Sequence, residues 1–133
     1  MTKYLVLYIG SAIVFFAADF VWLSTMSKAF YRPQIGSLLL DNPNLAVAGL
    51  FYLAYLVGLT ILVTAPAGND ILRAALLGAV LGFVAYGTYD LTNLSTMRGF
   101  TPAVAIVDIA WGTALTAASA AAGVWFARLA NLV

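Results

Sequence analysis

Residues 71–97 read ILRAALLGAVLGFVAYGTYDLTNLSTM. The part from Ile71 to Leu91 is almost entirely apolar and is as long as the ~20 helical residues that cross a bilayer. Gly78 and Gly82 lie one helical turn apart, a spacing that allows two membrane helices to approach closely. The stretch therefore predicts a membrane-spanning helix that packs tightly against a neighbour and carries Asp90 into the membrane.

Apolar stretches of this length occur four times, at Tyr4–Thr25, Leu45–Thr64, Ile71–Leu91 and Pro102–Ala127. The chain has 133 residues, of which 64% are hydrophobic and 8% are charged. A soluble domain carries roughly 25% charged residues, so this chain has too little charge to cover a water-exposed surface. The sequence predicts an all-α, multi-pass membrane protein in which a single four-helix transmembrane domain occupies residues 1–133, with the lipid bilayer as its surroundings.

The composition excludes several kinds of site. The chain has no Cys and no His, which rules out structural disulfides, thiolate or imidazole zinc sites, a His-ligated haem and a His general base. Its net charge is +1 and its basic residues are scattered, so no nucleic-acid partner is predicted. No cofactor is predicted either.

Helix-capping residues mark where three of the helices begin. Asn42-Pro43 and Thr101-Pro102 each fit a cap followed by a first-turn proline, for the second and fourth helices. Asn69 or Asp70 is expected to cap the third helix after a tight turn. The first connection is longer, from Ser27 to Asn44.

That first connection contains Ile35–Leu40, which is expected to lie along the membrane interface as a short amphipathic element. Four crossings put both chain termini on one side of the membrane, called side A here. The opposite side, side B, holds the connection between helices one and two. Each side carries three of the basic residues, so the positive-inside rule does not orient the protein.

One eight-residue motif appears twice in similar form. Asp19–Met26 is DFVWLSTM and Asp90–Met97 is DLTNLSTM, and the helices that contain them run in the same direction. The match predicts a parallel internal repeat with units at approximately 4–64 and 71–129. The alternative is chance similarity between apolar helices, although a matched aspartate within a span is rare.

Three spans carry a carboxylate at similar depth. Counted from the span centres, Asp19, Asp90 and Asp108 lie roughly 7 to 10 Å from the midplane toward side B. An ionised carboxylate in hydrocarbon costs several kcal/mol, so these side chains should face the bundle interior. We expect helices one, three and four to build a polar site and helix two to pack outside it.

The candidate solute- or ion-binding residues are Asp19, Asp90, Asp108, Asn93, Tyr86, Tyr89, Trp22, Trp111 and Arg98. Arg98 lies just outside the membrane on side B and could fold back to pair with an aspartate. Trp22 and Trp111 each follow an aspartate by three residues, which places them in the site or, alternatively, in an interfacial aromatic belt.

The acidic cluster has three interpretations. The acids could fix the bundle through hydrogen bonds, exchange protons during transport, or bind a hard cation such as Mg²⁺. The sequence favours binding or transport of a small solute or ion with proton coupling. The alternative is a non-catalytic packing or accessory subunit, with a lipid-modifying enzyme a third possibility for which no catalytic residue is assigned. A chain with so small an interior is expected to form a homo-oligomer or to pair with another membrane protein.

The segments YDLTNLSTMRGF and IVDIAWG, together with the doubled LSTM, carry a resemblance to a family of small bacterial membrane proteins with four predicted spans, known only as a domain of unknown function. The resemblance covers nearly the whole chain and is most specific at Tyr89–Phe100. It implies a multi-pass protein of the bacterial inner membrane and implies no catalytic residue. The architecture is also similar to that of small multidrug transporters, which however rely on one Glu in the first helix.

Overall fold

The computed structural model describes residues 1–133 and contains helices but no strands. Its four long helices are α1 (Thr2–Met26), α2 (Leu45–Leu59), α3 (Ile71–Thr96) and α4 (Pro102–Leu129). With their helical continuations, all four are long and apolar enough to cross a membrane. The prediction of an all-α, four-span protein is confirmed.

The starts of α3 and α4 agree with the capping prediction. The Asp70 carboxylate accepts a hydrogen bond from the Arg73 amide at 2.9 Å. The Thr101 hydroxyl accepts one from the Val104 amide at 3.2 Å, and Pro102 occupies the first turn. Each cap satisfies an amide that has no partner within its helix.

The start of α2 was predicted wrongly. Its cap is Asn44, whose side chain accepts a hydrogen bond from the Val47 amide at 3.2 Å, and Pro43 lies before the cap instead of after it. Either asparagine could chemically cap a helix. The choice between them depends on where the preceding chain ends, which local sequence does not specify.

The first connection also differs from the prediction, because helix continues well beyond Met26. A π-helical turn, an α-helical turn and a 3₁₀ turn come next, at Ser27–Tyr31, Arg32–Ile35 and Gly36–Leu38. Pro33 lies inside this continuous helix, and its missing N–H falls where the π-helical turn changes to the α-helical turn. Ile35 is buried against Phe100 and Val104, so the start of the Ile35–Leu40 segment docks on the bundle, while Leu40 is exposed.

The α3–α4 pair forms the most closely packed interface of the bundle. A methyl group added at Gly78 would lie 2.9 Å from the Ala120 side chain, and one added at Gly82 would lie 2.8 Å from the Thr116 hydroxyl. Only glycine permits this approach, since real side chains do not contact at such distances. The GxxxG face of α3 therefore packs inside the bundle, where close van der Waals contact replaces the missing hydrophobic driving force.

The α1–α4 contact is similar at the side A end. Gly123 of α4 lies against Ser11 and against the Leu7 carbonyl oxygen, which would be 2.8 Å from an added methyl group. Gly10 of α1 lies against the Phe126 ring. The apolar core is concentrated in this half of the bundle, where Ala127 and Val124 are fully buried.

The second span packs unevenly. Its final π-helical turn, Thr60–Thr64, contacts α1, α3 and α4, whereas Leu45–Leu59 contacts mainly α1. Leu45 and Leu50 in the side B half are about 70% exposed, at 74% and 69%. The side B half of α2 thus stands away from α3 and α4, and space remains between them.

Candidate functional site

A cavity of about 430 Å³ occupies the side B half of the bundle. It is lined from α1 by Phe15, Asp19, Trp22 and Leu23, from α2 by Phe51, Tyr52 and Tyr55, from α3 by Ala85, Tyr86 and Tyr89, and from α4 by Asp108 and Trp111. Most of these side chains are aromatic and only two are acidic. The cavity lies where α2 diverges from the other helices.

The two Asp-x-x-Trp motifs interlock across the antiparallel helices α1 and α4. The Trp111 indole N–H of α4 donates to Asp19 Oδ1 of α1 at 3.1 Å. In the other direction, the Trp22 indole N–H donates to the Tyr31 hydroxyl at 3.1 Å, and that hydroxyl donates to Asp108 Oδ1 at 2.6 Å. Each tryptophan is thereby linked to the aspartate of the opposite helix, once directly and once through Tyr31.

The tryptophan rings also contact each other. Trp22 and Trp111 are stacked with centroids 4.2 Å apart and planes inclined by 4°. Both rings line the cavity and both are partly buried. The stack forms part of the cavity wall between α1 and α4, whereas an aromatic belt would place the two rings separately toward the lipid headgroups.

The three carboxyl groups form a row with Asp108 in the middle. Asp108 interacts electrostatically with Asp19 on one side and with Asp90 on the other. Asp19 is 6% exposed and Asp90 is fully buried. Neither oxygen of Asp90 accepts a hydrogen bond from an amide, hydroxyl or indole group, an uncommon condition for a buried carboxyl group, and the polar group that acts on it is the Asp108 carboxyl group.

No basic side chain compensates these acids. Asp19 interacts with Trp111, Tyr52 and Asp108, and Asp90 interacts with Asp108. No Lys or Arg is among these neighbours. Arg98 is exposed in the turn between α3 and α4, so its expected pairing with an aspartate is absent. Because α3 ends at Thr96 and Gly99 turns the chain away, the Arg98 side chain lies outside the bundle.

The cavity brings together most of the predicted residues. Asp19, Trp22, Tyr86, Tyr89, Asp108 and Trp111 line it. Asp90 lies beyond its wall, next to Asp108. Asn93 lies one turn after Tyr89, and its side chain is within hydrogen-bonding reach of the Tyr89 hydroxyl. Arg98 lies outside the cavity.

A family model described as a predicted membrane protein, DUF2177, matches residues 4–125. The chain belongs to this family. The DUF2177 match spans every residue that lines the cavity and confirms the family resemblance seen in the sequence. No curated protein and no solved structure matches the chain.

The expected role of helix two was wrong for this DUF2177 protein. Phe51, Tyr52 and Tyr55 line the cavity, and the Tyr52 hydroxyl lies close enough to Asp19 to interact with it. The Tyr55 and Thr116 hydroxyls share a hydrogen bond of 3.0 Å. A signal was available, because Tyr52 and Tyr55 are the only residues of Leu45–Leu59 whose side chains carry polar atoms, and a buried phenol usually finds a hydrogen-bond partner.

Tyr31 is the other residue of the candidate site that the sequence did not indicate. It belongs to the segment predicted as a connecting loop, yet its hydroxyl joins Trp22 to Asp108. The π-helical turn at Ser27–Tyr31 carries the helix onward and lets this side chain reach the row of acids. Such turns inside helices are frequent at functional sites.

The arrangement does not resemble a metal centre. No group of three or more acidic side chains is placed to hold one ion. The acids lie one after another in a row, and the other side chains that line the cavity are mostly aromatic. A hard cation such as Mg²⁺ needs about six oxygen ligands around one point, which this geometry does not offer.

Proposed function

We propose that this protein binds a small solute or ion in the side B cavity and moves it across the membrane with proton exchange at Asp19, Asp108 and Asp90. The observation that carries the proposal is the row of three carboxyl groups without a basic partner, beside a cavity large enough for a ligand. Charges buried in a membrane protein require compensation, by protons or by an ion of opposite charge.

The state of Asp90 supports this function over a purely structural one. A carboxyl group that fixes helix packing is expected to form hydrogen bonds across the interface, as Asp19 does with Trp111. Asp90 has no such donor, although it is fully buried, and the polar group that acts on it is the carboxyl group of Asp108. Its placement costs stability, and such a cost is typical of groups retained for binding or proton transfer.

The cavity geometry supports a gating element as well. Leu45–Leu59 packs mainly on α1, while the turn Thr60–Thr64 is anchored on all three other helices. A helix anchored at one end can change its angle at low cost, which would open or close the cavity toward side B. The bacterial inner membrane, which the family resemblance implies, is the proposed location.

The second candidate is an accessory subunit of a membrane assembly. The side B half of α2 favours it, because this half contacts mainly α1 and a partner helix or a second copy of the chain could replace lipid at exposed residues such as Leu50. In that case the polar cluster would serve packing alone.

Infrared spectroscopy of the purified protein in lipid tests the function without knowledge of the solute. We expect carboxyl C=O bands that change with pH and shift in D₂O, and that disappear one at a time in the Asp19→Asn, Asp108→Asn and Asp90→Asn variants. Asp41→Asn, an exposed loop acid, is the matched control. Bands that do not respond to pH would refute proton exchange and favour the accessory role.

A further inference from the structure

We propose that the ligand of this cavity is an organic cation, an ammonium group that carries apolar substituents. The inference rests on the proposed function and specifies its substrate class. It depends on the chemistry of three parts of the site, which are the aromatic walls, the unpaired carboxyl groups and the volume.

The walls present aromatic faces. The stacked Trp22 and Trp111 lie on one side, and Tyr52, Tyr55 and Tyr86 come from the facing helices. An aromatic face attracts a cation within about 6 Å, and several faces around one position form a cage that suits a substituted ammonium group. Neutral apolar molecules would gain contact area here but no electrostatic attraction.

The acids determine the sign of the ligand charge. Trp111 donates to Oδ1 of Asp19 and Tyr31 donates to Oδ1 of Asp108, and the other groups that act on these acids, Tyr52 and Asp90, carry no positive charge. Both carboxyl groups line the cavity, so a cation bound there would meet acids that no basic group compensates. Behind them the fully buried Asp90 adds a third carboxyl group beside Asp108. An anion would meet three acids and no basic group, whereas a cation would replace the protons that otherwise neutralise them.

The size and polarity separate organic from inorganic cations. A volume of about 430 Å³ lies within the roughly 300–1,000 Å³ of small-molecule sites. A bare metal ion would fill little of it and would find too few oxygen ligands. Apolar substituents on an ammonium group would instead contact the rings and displace water.

Fluorescence titration with matched probes tests the assignment. Trp22 and Trp111 report from the cavity wall, and a Trp125→Phe background removes the third tryptophan, which is half exposed elsewhere. The probes are phenyltrimethylammonium and tert-butylbenzene, which have nearly the same shape but differ in charge. We expect saturable binding of the cation and about tenfold weaker binding of the neutral isostere, in line with the strength of cation–aromatic attraction.

The same titration is repeated on Asp19→Asn and Asp108→Asn, with Asp41→Asn as the control. Loss of the preference for the cation in the two cavity variants, with the preference intact in the control, supports the assignment. Equal binding of both probes by the parent protein overturns it, and so does tighter binding of benzenesulfonate. This comparison on the parent protein needs no variant to fold.

The outcomes separate this inference from the proposed function. If the infrared carboxyl bands respond to pH while phenyltrimethylammonium does not bind, the substrate class is wrong and the proton-exchange function stands. If neither response occurs, both are wrong. Proteoliposomes containing a pH-sensitive dye complete the test, since added phenyltrimethylammonium should drive proton release in the parent protein and not in Asp90→Asn.

Discussion

The two halves of this bundle are built from the same helices and differ sharply in what lies between them. Toward side A, glycine and serine let α1 approach α4 until Gly123 lies against Ser11. Toward side B, the stacked Trp22 and Trp111 fill the space between the same two helices. One half is a closed core and the other encloses a cavity.

The difference shows how side-chain size controls the path of a membrane helix. Helices in lipid associate through close packing, so they converge where residues are small and remain apart where residues are large. Here the large residues are also the amphipathic ones, because Trp and Tyr carry polar atoms that reach the acids. The closed half anchors the bundle, and the open half is free to carry polar groups.

The largest expected effect comes from disturbing the closed half. In Gly123→Ala the new methyl group would overlap the Ser11 hydroxyl and come within 2.8 Å of the Leu7 carbonyl oxygen. Overpacking of this kind costs about 1–3 kcal/mol of unfolding free energy. Denaturant unfolding in mixed micelles measures the loss. Gly58→Ala is the matched control, since nothing lies near its added methyl group; equal stability of the two variants would show that α1 and α4 separate freely.

Next in size is a contrast between the two matched aspartates. Asp90→Asn should gain about 1 kcal/mol, because it removes one of two acid groups that lie together in the interior without a basic partner. Asp19→Asn should lose about 1 kcal/mol, since it weakens the charge-assisted bond from Trp111. Both are measured by the same unfolding assay. A loss of stability in Asp90→Asn would mean that this acid holds the bundle together after all.

A smaller effect is expected from Tyr31→Phe, which separates Trp22 from Asp108. The loss should be about 1 kcal/mol, because one hydrogen bond is removed from each neighbour. Hydrogen exchange should become faster at Ser27–Leu38, the segment that this side chain ties to α4. Tyr4→Phe, at an exposed site of α1, is the control. Unchanged exchange would show that Ile35 and the hydrogen bond from Thr101 to Gln34 anchor the segment without Tyr31.

The smallest effect is expected at the edge of the cavity. Tyr55→Phe removes one hydrogen bond to Thr116 and should cost about 0.5 kcal/mol, since Thr116 can rotate toward a carbonyl of its own helix. Binding of phenyltrimethylammonium should be nearly unchanged, because the aromatic face remains. A large loss of stability would indicate that this bond, and not the turn at Thr60–Thr64, holds α2 in place.

Local chemistry predicted the parts of this protein that depend on neighbours in sequence. Hydrophobic length gave four spans, and the caps at Asp70 and Thr101 were predicted from residues that satisfy nearby amides. The GxxxG spacing indicated a close helix contact but left open whether it joins helices or protomers, and the packing of Gly82 on Thr116 places it inside the chain. The doubled LSTM phrase stays a prediction of an internal repeat.

The end of that doubled phrase shows where local reasoning fails. After Met26 the chain continues as helix, whereas at Met97 it is extended and Gly99 turns with φ +89°. The four residues LSTM are the same in both places, so the difference arises from the residues beyond each methionine and from the surface on which each segment packs. Ile35 finds a buried position beside Phe100, and that contact stabilises the longer helix.

The sequence by itself determined that lipid is the solvent, that the chain crosses it four times, and that three acids must turn inward, because hydrophobic length and the cost of a charge in hydrocarbon are properties of residues. Only the tertiary structure decided that the acids form a row and do not surround one point, that α2 supplies phenols to the cavity, and that Tyr31 links Trp22 to Asp108. These depend on helix rotation and tilt, which contacts between distant residues set.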